Sequence, residues 1–316
     1  MGQSSSNHSR TGRIPPAKSA LIENAKLSEE KLPDGFKLLH GRGFKETGSP
    51  VYMLPNDGSE ADRLNGQHYQ FRYLMQGNYH VPLTEELEKG IKVIDVGCGT
   101  GIWTVEMAEQ FPASHFTATD ITDIYKNPTK IPSNCTFLQV DTRDGLPFED
   151  NTFDYVFQRH SSICFPVDTW PIVLKELVRV AKPGAHIELV ECAQILHDAG
   201  PSTARWAEHL FRTLMMRGVN ARYVASMESA LEAAGMVDIY HDYQSAPVGW
   251  GPNAELGRLL KLNIMESIKG FRPQMTIALG IDDNEYDRFI ENSEAELGTT
   301  HKTYFNIEMY TARKPA

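Results

Sequence analysis

Several features that would direct the reading elsewhere are missing from this sequence. Its 316 residues contain no apolar run long enough to span a bilayer, and no signal-peptide pattern opens the chain. Only four cysteines occur (Cys98, Cys135, Cys164, Cys192), scattered singly, with no C-x-x-C pair. That spacing argues against a structural zinc or a disulfide framework, and for a reducing, cytoplasmic compartment with no metal. Surplus positive charge is absent too. The formal net charge is −10, whereas broad nucleic-acid binding needs a basic surface. There is no internal repeat. The 41% hydrophobic content is ordinary for a globular chain.

What is present centres on Ile91-Lys92-Val93-Ile94-Asp95-Val96-Gly97-Cys98-Gly99-Thr100-Gly101. The β-branched run reads as a buried parallel strand, and a helical pattern follows from Ile102 to Phe111. Strand, glycine turn and helix form the ligand-cradling unit of doubly wound α/β folds. Gly97 and Gly99 let the backbone approach a ligand closely, and Gly101 permits tight helix–strand packing. The dinucleotide fingerprint G-x-G-x-x-G/A is met only in part, because Ile102 fills its third slot. Asp95, just before the turn, would repel a pyrophosphate and suits a ligand carrying an ammonium or sulfonium. A nicotinamide oxidoreductase is disfavoured on both counts.

The order Asp-Val-Gly-Cys-Gly-Thr-Gly resembles motif I of the class I S-adenosylmethionine-dependent methyltransferases. Further segments extend that resemblance. Asp62-Arg63-Leu64, Gln67-His68 and Gly77-Asn78 are similar to the leader of the fungal small-molecule methyltransferases that include the LaeA-like regulators. There, the helix from about Ala61 (Leu64, His68, Phe71, Met75 at helical spacing) lids the cofactor. His68 and Arg72 would either meet the ligand's carboxylate or be surface groups on a packing helix. Leu177, Val180 and Lys182-Pro183-Gly184-Ala185 are similar to the family's L-x-x-x-L-x-P-G-G segment, with Ala185 for the second glycine. Leu146-Pro147-Phe148 through Phe153-Asp154 resembles the segment whose Leu/Phe pair packs under the adenine edge; a plain turn and core would use the same residues.

Strand patterns place the other acids. His115–Asp120 reads as the second strand, and Asp120 stands about 20 residues past the glycines, where a carboxylate accepts from ribose hydroxyls. The third strand runs Thr136–Asp141, and the resemblance gives Asp141, with Thr142 beside it, the adenine amino group. It also implies Cys98 and Ile121 as cofactor contacts. Tyr155–Gln158 is the fourth strand. Gln158, Arg159 and His160 at its end fall at the switch point between the first and fourth strands, near the transferred group. His160 is the best-placed general base, unless it is a solvated loop histidine. Asp168 or Thr169 caps a helix with Pro171 in its first turn, Lys182-Pro183-Gly184 ends it, and His186–Glu191 is the fifth strand. Glu191 would face substrate or serve at the core edge.

Beyond Pro201, helical stripes carry Trp206, Leu210 and Leu214, then Leu256, Leu259, Leu260 and Ile264, then Tyr286, Phe289 and Ile290. Lys302–Pro315 alternates like a half-buried edge or antiparallel strand. Trp206, Phe211, Met215, Met216, Trp250 and Phe271 suit an apolar pocket or an ordinary core.

The expected architecture is a doubly wound, Rossmann-like α/β sheet of about seven strands, mostly parallel with the last antiparallel, bearing helical cap insertions. Its parts are a disordered leader (1–19), an N-terminal extension (20–60), an S-adenosylmethionine-binding core (61–200), and a helical cap plus closing strands (201–316). The expected activity is in-line methyl transfer to a small-molecule acceptor, with a LaeA-like regulatory protein acting through protein partners as the alternative. Met-Gly-Gln-Ser-Ser-Ser fits an N-myristoylation pattern at Gly2. Arg10, Arg13 and Lys18 would supply the second membrane signal that one acyl chain needs for weak, peripheral attachment.

Overall fold

The computed structural model describes residues 36–45, 51–123 and 131–316. The expected leader, with Gly2, lies outside the described residues, as do 20–35 and 46–50 of the expected extension. In chain order the elements are β1 (Phe36–Leu39), β2 (Arg42–Lys45), α1 (Gly58–Leu74), α2 (Thr84–Lys89), β3 (Lys92–Val96), α3 (Ile102–Gln110), β4 (His115–Asp120) and β5 (Cys135–Gln139). They continue with β6 (Phe153–Arg159), α4 (Trp170–Val180), β7 (Ala181–Glu191), α5 (Pro201–Met215), α6 (Met227–Ala233), β8 (Val237–Pro247), α7 (Ala254–Leu279), α8 (Asp283–Glu296) and β9 (Tyr304–Arg313). Among them no helix is long and apolar enough to cross a membrane.

β1 and β2 pair as a separate hairpin, and the main sheet has seven strands in the order β5-β4-β3-β6-β7-β9-β8. From β3 the chain winds outward through β4 and β5, then returns to β6 on β3's other side. Parallel pairing sets Asp95 beside both Ala118 and Phe157, and Val96 beside Gln158. The reversal opens a crevice beyond the carboxyl ends of β3 and β6, the place where open α/β sheets bind ligands. β9 runs antiparallel to β7 and β8, as the half-buried alternation of its sequence suggested. It lies between those two strands, however, and β8 forms the edge.

The two-residue period of the strands divides the core. Val93, Tyr155 and Phe157 face α1 and α3, where Trp103 stacks on Phe157 at 3.9 Å and 5°. Ile94, Val96, Val156, Ile187 and Leu189 face α4 and α6, against Trp170, Leu174 and Leu177. Truncating a buried ring such as Trp103 would cost about 3–5 kcal/mol. α5, α7 and α8 pack on one another, and α7 also packs on α1, so the inserted helices roof the crevice.

Three local expectations shift. A 3-10 turn at 167–169 leads directly into α4, and Thr169 is itself helical (φ −84°, ψ −26°), so neither Asp168 nor Thr169 caps the helix by its side chain. Pro171 does sit in the first turn. Lys182-Pro183-Gly184 belongs to β7 rather than to the helix stop, which falls at Val180. Lys182 pairs with Asp154 at 2.7 Å, and Gly184 donates its N–H to the Lys314 carbonyl, which draws the segment into the sheet. β5 stops at Gln139, because Asp141 turns the chain by capping a 3-10 turn at 142–144.

Candidate functional site

A cavity of about 240 Å³ occupies the crevice. Its floor is the glycine turn and the ends of β4 and β6; its roof comes from α1, α5 and α7. Asp95, Gly97, Cys98, Gly99, Asp120, Ile121, Asp141, Thr142, Arg159 and His160 all line it. Gly101 and Gln158 do not. Gly101 begins α3 at φ 76°, and a Cβ there would stand 2.4 Å from the Phe137 ring, so its role is helix–strand contact. Gln158 is fully buried beneath the wall.

The turn is fastened to β4. Gly97 and Cys98 donate their N–H groups to the Thr119 carbonyl, and Gly99 donates to Asp120 Oδ2 at 2.8 Å. Gly99 is left-handed (φ 56°), and a Cβ there would meet no protein atom within 4 Å. That direction is open space available to a ligand. Asp120 Oδ1 accepts from the backbone and hydroxyl of Thr122, while burial raises the pKa of the carboxyl. Lone pairs remain for a ribose diol. Asp141 is gripped by Arg143 through Nε at 2.9 Å and Nη2 at 2.5 Å, which holds its pKa below the usual carboxylate range.

At the head of the turn Asp95 is 3% exposed and accepts from Thr104 Oγ1 at 2.6 Å. Burial pushes its pKa up to about 6. One strand over and on the same sheet face stands Arg159. Burial lowers its guanidinium to about 10, and among the described residues no carboxylate lies within ion-pair distance of it. Its Nη2 donates to His68 Nδ1 at 3.1 Å, and His68 Nε2 therefore donates to Glu106 Oε2 at 2.7 Å. Burial and the cations Arg159 and Arg72 hold His68 neutral, down to about 2. Arg72 is spent on Glu106 and does not reach the cavity, so of the expected His68–Arg72 pair only His68 lines it. An acid and an arginine that stand side by side without an ion-pair contact fit the ammonium and carboxylate of an amino-acid end. With the carboxylates further along, the donor set fits a molecule with amino-acid and ribose ends.

His160 follows at φ 59°, its ring tilted against Phe71 at 4.7 Å. Its Nε2 is buried without a hydrogen-bond partner. Burial, with Arg159 and Arg63 nearby, lowers the imidazole to about 3, so it stands neutral at pH 7. The loop carrying it is braced from below. Glu191, fully buried, accepts from the N–H groups of Ser161 at 3.0 Å and Ser162 at 2.8 Å. Burial raises that carboxyl to about 8. Glu191 does not line the cavity; it supports the loop that does.

Much of the roof is apolar: Trp206 and Leu210 from α5, Ile264 and Phe271 from α7, and Phe305 from β9, with Gln67 of α1 and Asn263 and Ser267 of α7 beside them. Met215 and Met216, which suited either a pocket or a core, are in neither: they are 45% and 66% exposed. Trp250 donates its indole N–H to the Thr303 carbonyl, and Phe211 lies under Arg222. Leu146 belongs to the core on the α4 face, and Phe148 packs edge-on against Phe153 at 5.0 Å; neither lines the cavity. Sequence reading missed Tyr52 and Leu54, which close the cavity from the extension, and Arg63. Arg63 is held by Glu60 at 2.6 Å and donates to Asn263 Oδ1, also at 2.6 Å, tying α1 to α7. Two residues 200 positions apart leave no local pattern to find.

Comparison with known proteins adds the following. Residues 93–184 match a family model described as a methyltransferase domain. The chain is 27% identical over 293 residues to "Secondary metabolism regulator LAE1" of Cochliobolus heterostrophus, covering 87% of this chain and 94% of that one. It is 26% identical to "Methyltransferase pytC" of Aspergillus terreus (75% and 74% covered). It is 25% identical to "N-methyltransferase gliN" of Aspergillus fumigatus (78% and 91% covered).

Proposed function

We propose that this chain, which is a class I S-adenosylmethionine-dependent methyltransferase in the LaeA-like group, methylates a small molecule held under its cap helices. The observation that carries the acceptor is the cavity itself. One continuous cavity joins the carboxylate-ringed glycine turn to a largely apolar roof of α5 and α7. The names of pytC and gliN point the same way.

In this reading Asp120 takes the ribose hydroxyls, Asp141 and Thr142 the adenine edge, and Ile121 and Cys98 flank the nucleoside. Asp95 and Arg159 take the ammonium and carboxylate of the amino-acid end. When bound, the cofactor supplies an activated methyl group on a sulfonium. The protein's own work is alignment and exclusion of water. α1, with Phe71 and His68, and the roof helices keep solvent out. His160, at the end of β6, stands where the acceptor's reacting atom would be oriented.

The test is transfer of labelled methyl groups from S-adenosylmethionine to a metabolite extract by the purified protein. A labelled small molecule of defined mass is the expected result. Labelling of nothing in any extract, by protein that binds the cofactor, would refute the acceptor claim. A second reading is favoured by one observation: the LAE1 alignment extends over more of the chain than the pytC one. The output would then be a protein contact made by the cap. Recovery of a partner through the cap helices, with no turnover, would select it.

A further inference from the structure

The charges in the cavity wall say what kind of acceptor it takes, granted the reading that the acceptor lies under the cap. Arg63, beneath the roof, is neutralised by Glu60 and completed by Asn263. Arg143 is matched by Asp141. Asp120 belongs to the turn, and Asp95 and Arg159 are taken, in the proposed reading, by the amino-acid end of the cofactor. The rest of the roof is mostly apolar (Trp206, Leu210, Ile264, Phe271 and Phe305) with the neutral polar side chains Gln67, Asn263 and Ser267, and it carries no charged group. A buried ion there would have no counter-ion and no water, which is strongly unfavourable. Among the described residues, the polar side chains Gln67, Gln194 and His160 line the cavity without a hydrogen-bond partner, and of these the imidazole is the one that can take up a proton. Among the described residues that line the cavity, His160 contributes the one side-chain atom, Nε2, that is both buried and unpartnered.

We infer that the acceptor is an uncharged, largely apolar molecule presenting a neutral O–H or N–H, as a phenol or an amide does, to the His160 imidazole. An alkylamine would arrive as an ammonium, with no lone pair to attack and no carboxylate to receive it. A carboxylic acid would arrive as an anion facing a largely apolar roof. For the O–H or N–H acceptor the step balances. The acceptor atom's lone pair forms the bond to the methyl carbon while the carbon–sulfur bond breaks, its electron pair staying on sulfur. The displaced proton passes to His160 and from there to water, leaving a neutral methylated product and a neutral imidazole. The low basicity of this imidazole suits a proton made strongly acidic by bond formation, and ill suits one held by an alkylammonium.

The experiment uses the full chain saturated with S-adenosylhomocysteine, that saturation first being verified by calorimetry. Quenching of tryptophan fluorescence then reports binding of 2-naphthol, 2-naphthamide, naphthalene, 2-naphthylmethylamine and 2-naphthoate. Naphthol or naphthamide should bind at least about tenfold more tightly than the ammonium and the carboxylate, in line with an unpaired buried charge. His160→Ala should weaken the favoured probe about three- to tenfold, the worth of one hydrogen bond, and leave naphthalene unchanged. Equal or tighter binding of either ion overturns the inference, and so does an equal loss for naphthalene in the variant. The charge series needs only the wild-type chain, so it decides the matter even if His160→Ala fails to fold. Failure of S-adenosylhomocysteine to bind would instead bring down the methyltransferase reading itself.

Discussion

Removing Asp120 tests the contact on which the nucleoside half of the site depends in the proposed reading. In the free protein its carboxylate holds the Gly99 N–H at 2.8 Å and both donors of Thr122 at 2.8 Å. Burial raises its pKa, so these bonds do not fully offset the desolvation. Asp120→Ala therefore has two opposed effects on folding: it orphans the Gly99 N–H and relieves a buried charge. The net change in stability should be small, within about 1–2 kcal/mol. Binding has no such compensation. Ribose hydroxyls bonded to a charged carboxylate contribute about 1.5–3 kcal/mol, so the dissociation constant for S-adenosylhomocysteine should rise about 10- to 150-fold. Asp120→Asn keeps one carbonyl acceptor of the same shape and should fall between. Calorimetry gives the affinities, and thermal melts confirm that the variants are folded. An affinity within twofold of wild type, in a folded Ala variant, would refute the placement of the ribose.

Three other outcomes follow from the same geometry. Gly101→Ala combines a left-handed φ of 76° with a Cβ 2.4 Å from Phe137, and should destabilise by about 2–4 kcal/mol in urea denaturation; a loss under 0.5 kcal/mol would mean the turn relaxes freely. Arg159→Met should weaken S-adenosylmethionine by about 10- to 150-fold, as for a lost charged hydrogen bond, yet barely touch its decarboxylated analogue; equal losses for both would remove Arg159 from the carboxylate. Asp95 is held at about 6, above its usual 3.8. As pH falls through about 6 the cation-binding form is lost, and cofactor affinity should drop about tenfold per pH unit while staying flat above it. In the free protein the sign is opposite: the raised pKa means that Asp95 destabilises the fold as pH rises from 3.8 through about 6. A dissociation constant constant from pH 5 to 8 would exclude an ionic role for Asp95.

The centre of the sheet was legible in the sequence because β3 and the end of β7 are buried on both faces and written as runs of β-branched and aliphatic residues. Val93-Ile94 and Ile187 through Val190 leave little alternative. The glycine turn was legible because left-handed backbone narrows the choice of residue. The errors fall where tertiary contacts override local preference. Lys182-Pro183-Gly184 reads as a helix stop, yet Asp154 and Lys314 pull it into β7. Arg72 and Arg159 are both basic residues in the expected neighbourhood, and only their partners tell them apart: Glu106 pairs with one, while among the described residues no carboxylate forms an ion pair with the other, which feels Asp95 and Glu188 only from further off. Glu191 at a strand end looks like a group offered to substrate, and its burial beneath two backbone N–H groups turns it into a brace. The apolar roof was the least legible. Trp206 and Phe271 line the cavity while Met215 and Met216 of the same helical stretches face solvent, a division set by how α5 and α7 pack.

The most direct measurement is a crystal structure of the full chain with S-adenosylhomocysteine. The ligand should lie along the glycine turn, its ribose on Asp120 and its amino-acid end between Asp95 and Arg159, with its sulfur facing the space beneath Trp206 and Phe271. Density for the ligand elsewhere, or with its amino-acid end away from Asp95 and Arg159, would contradict the account.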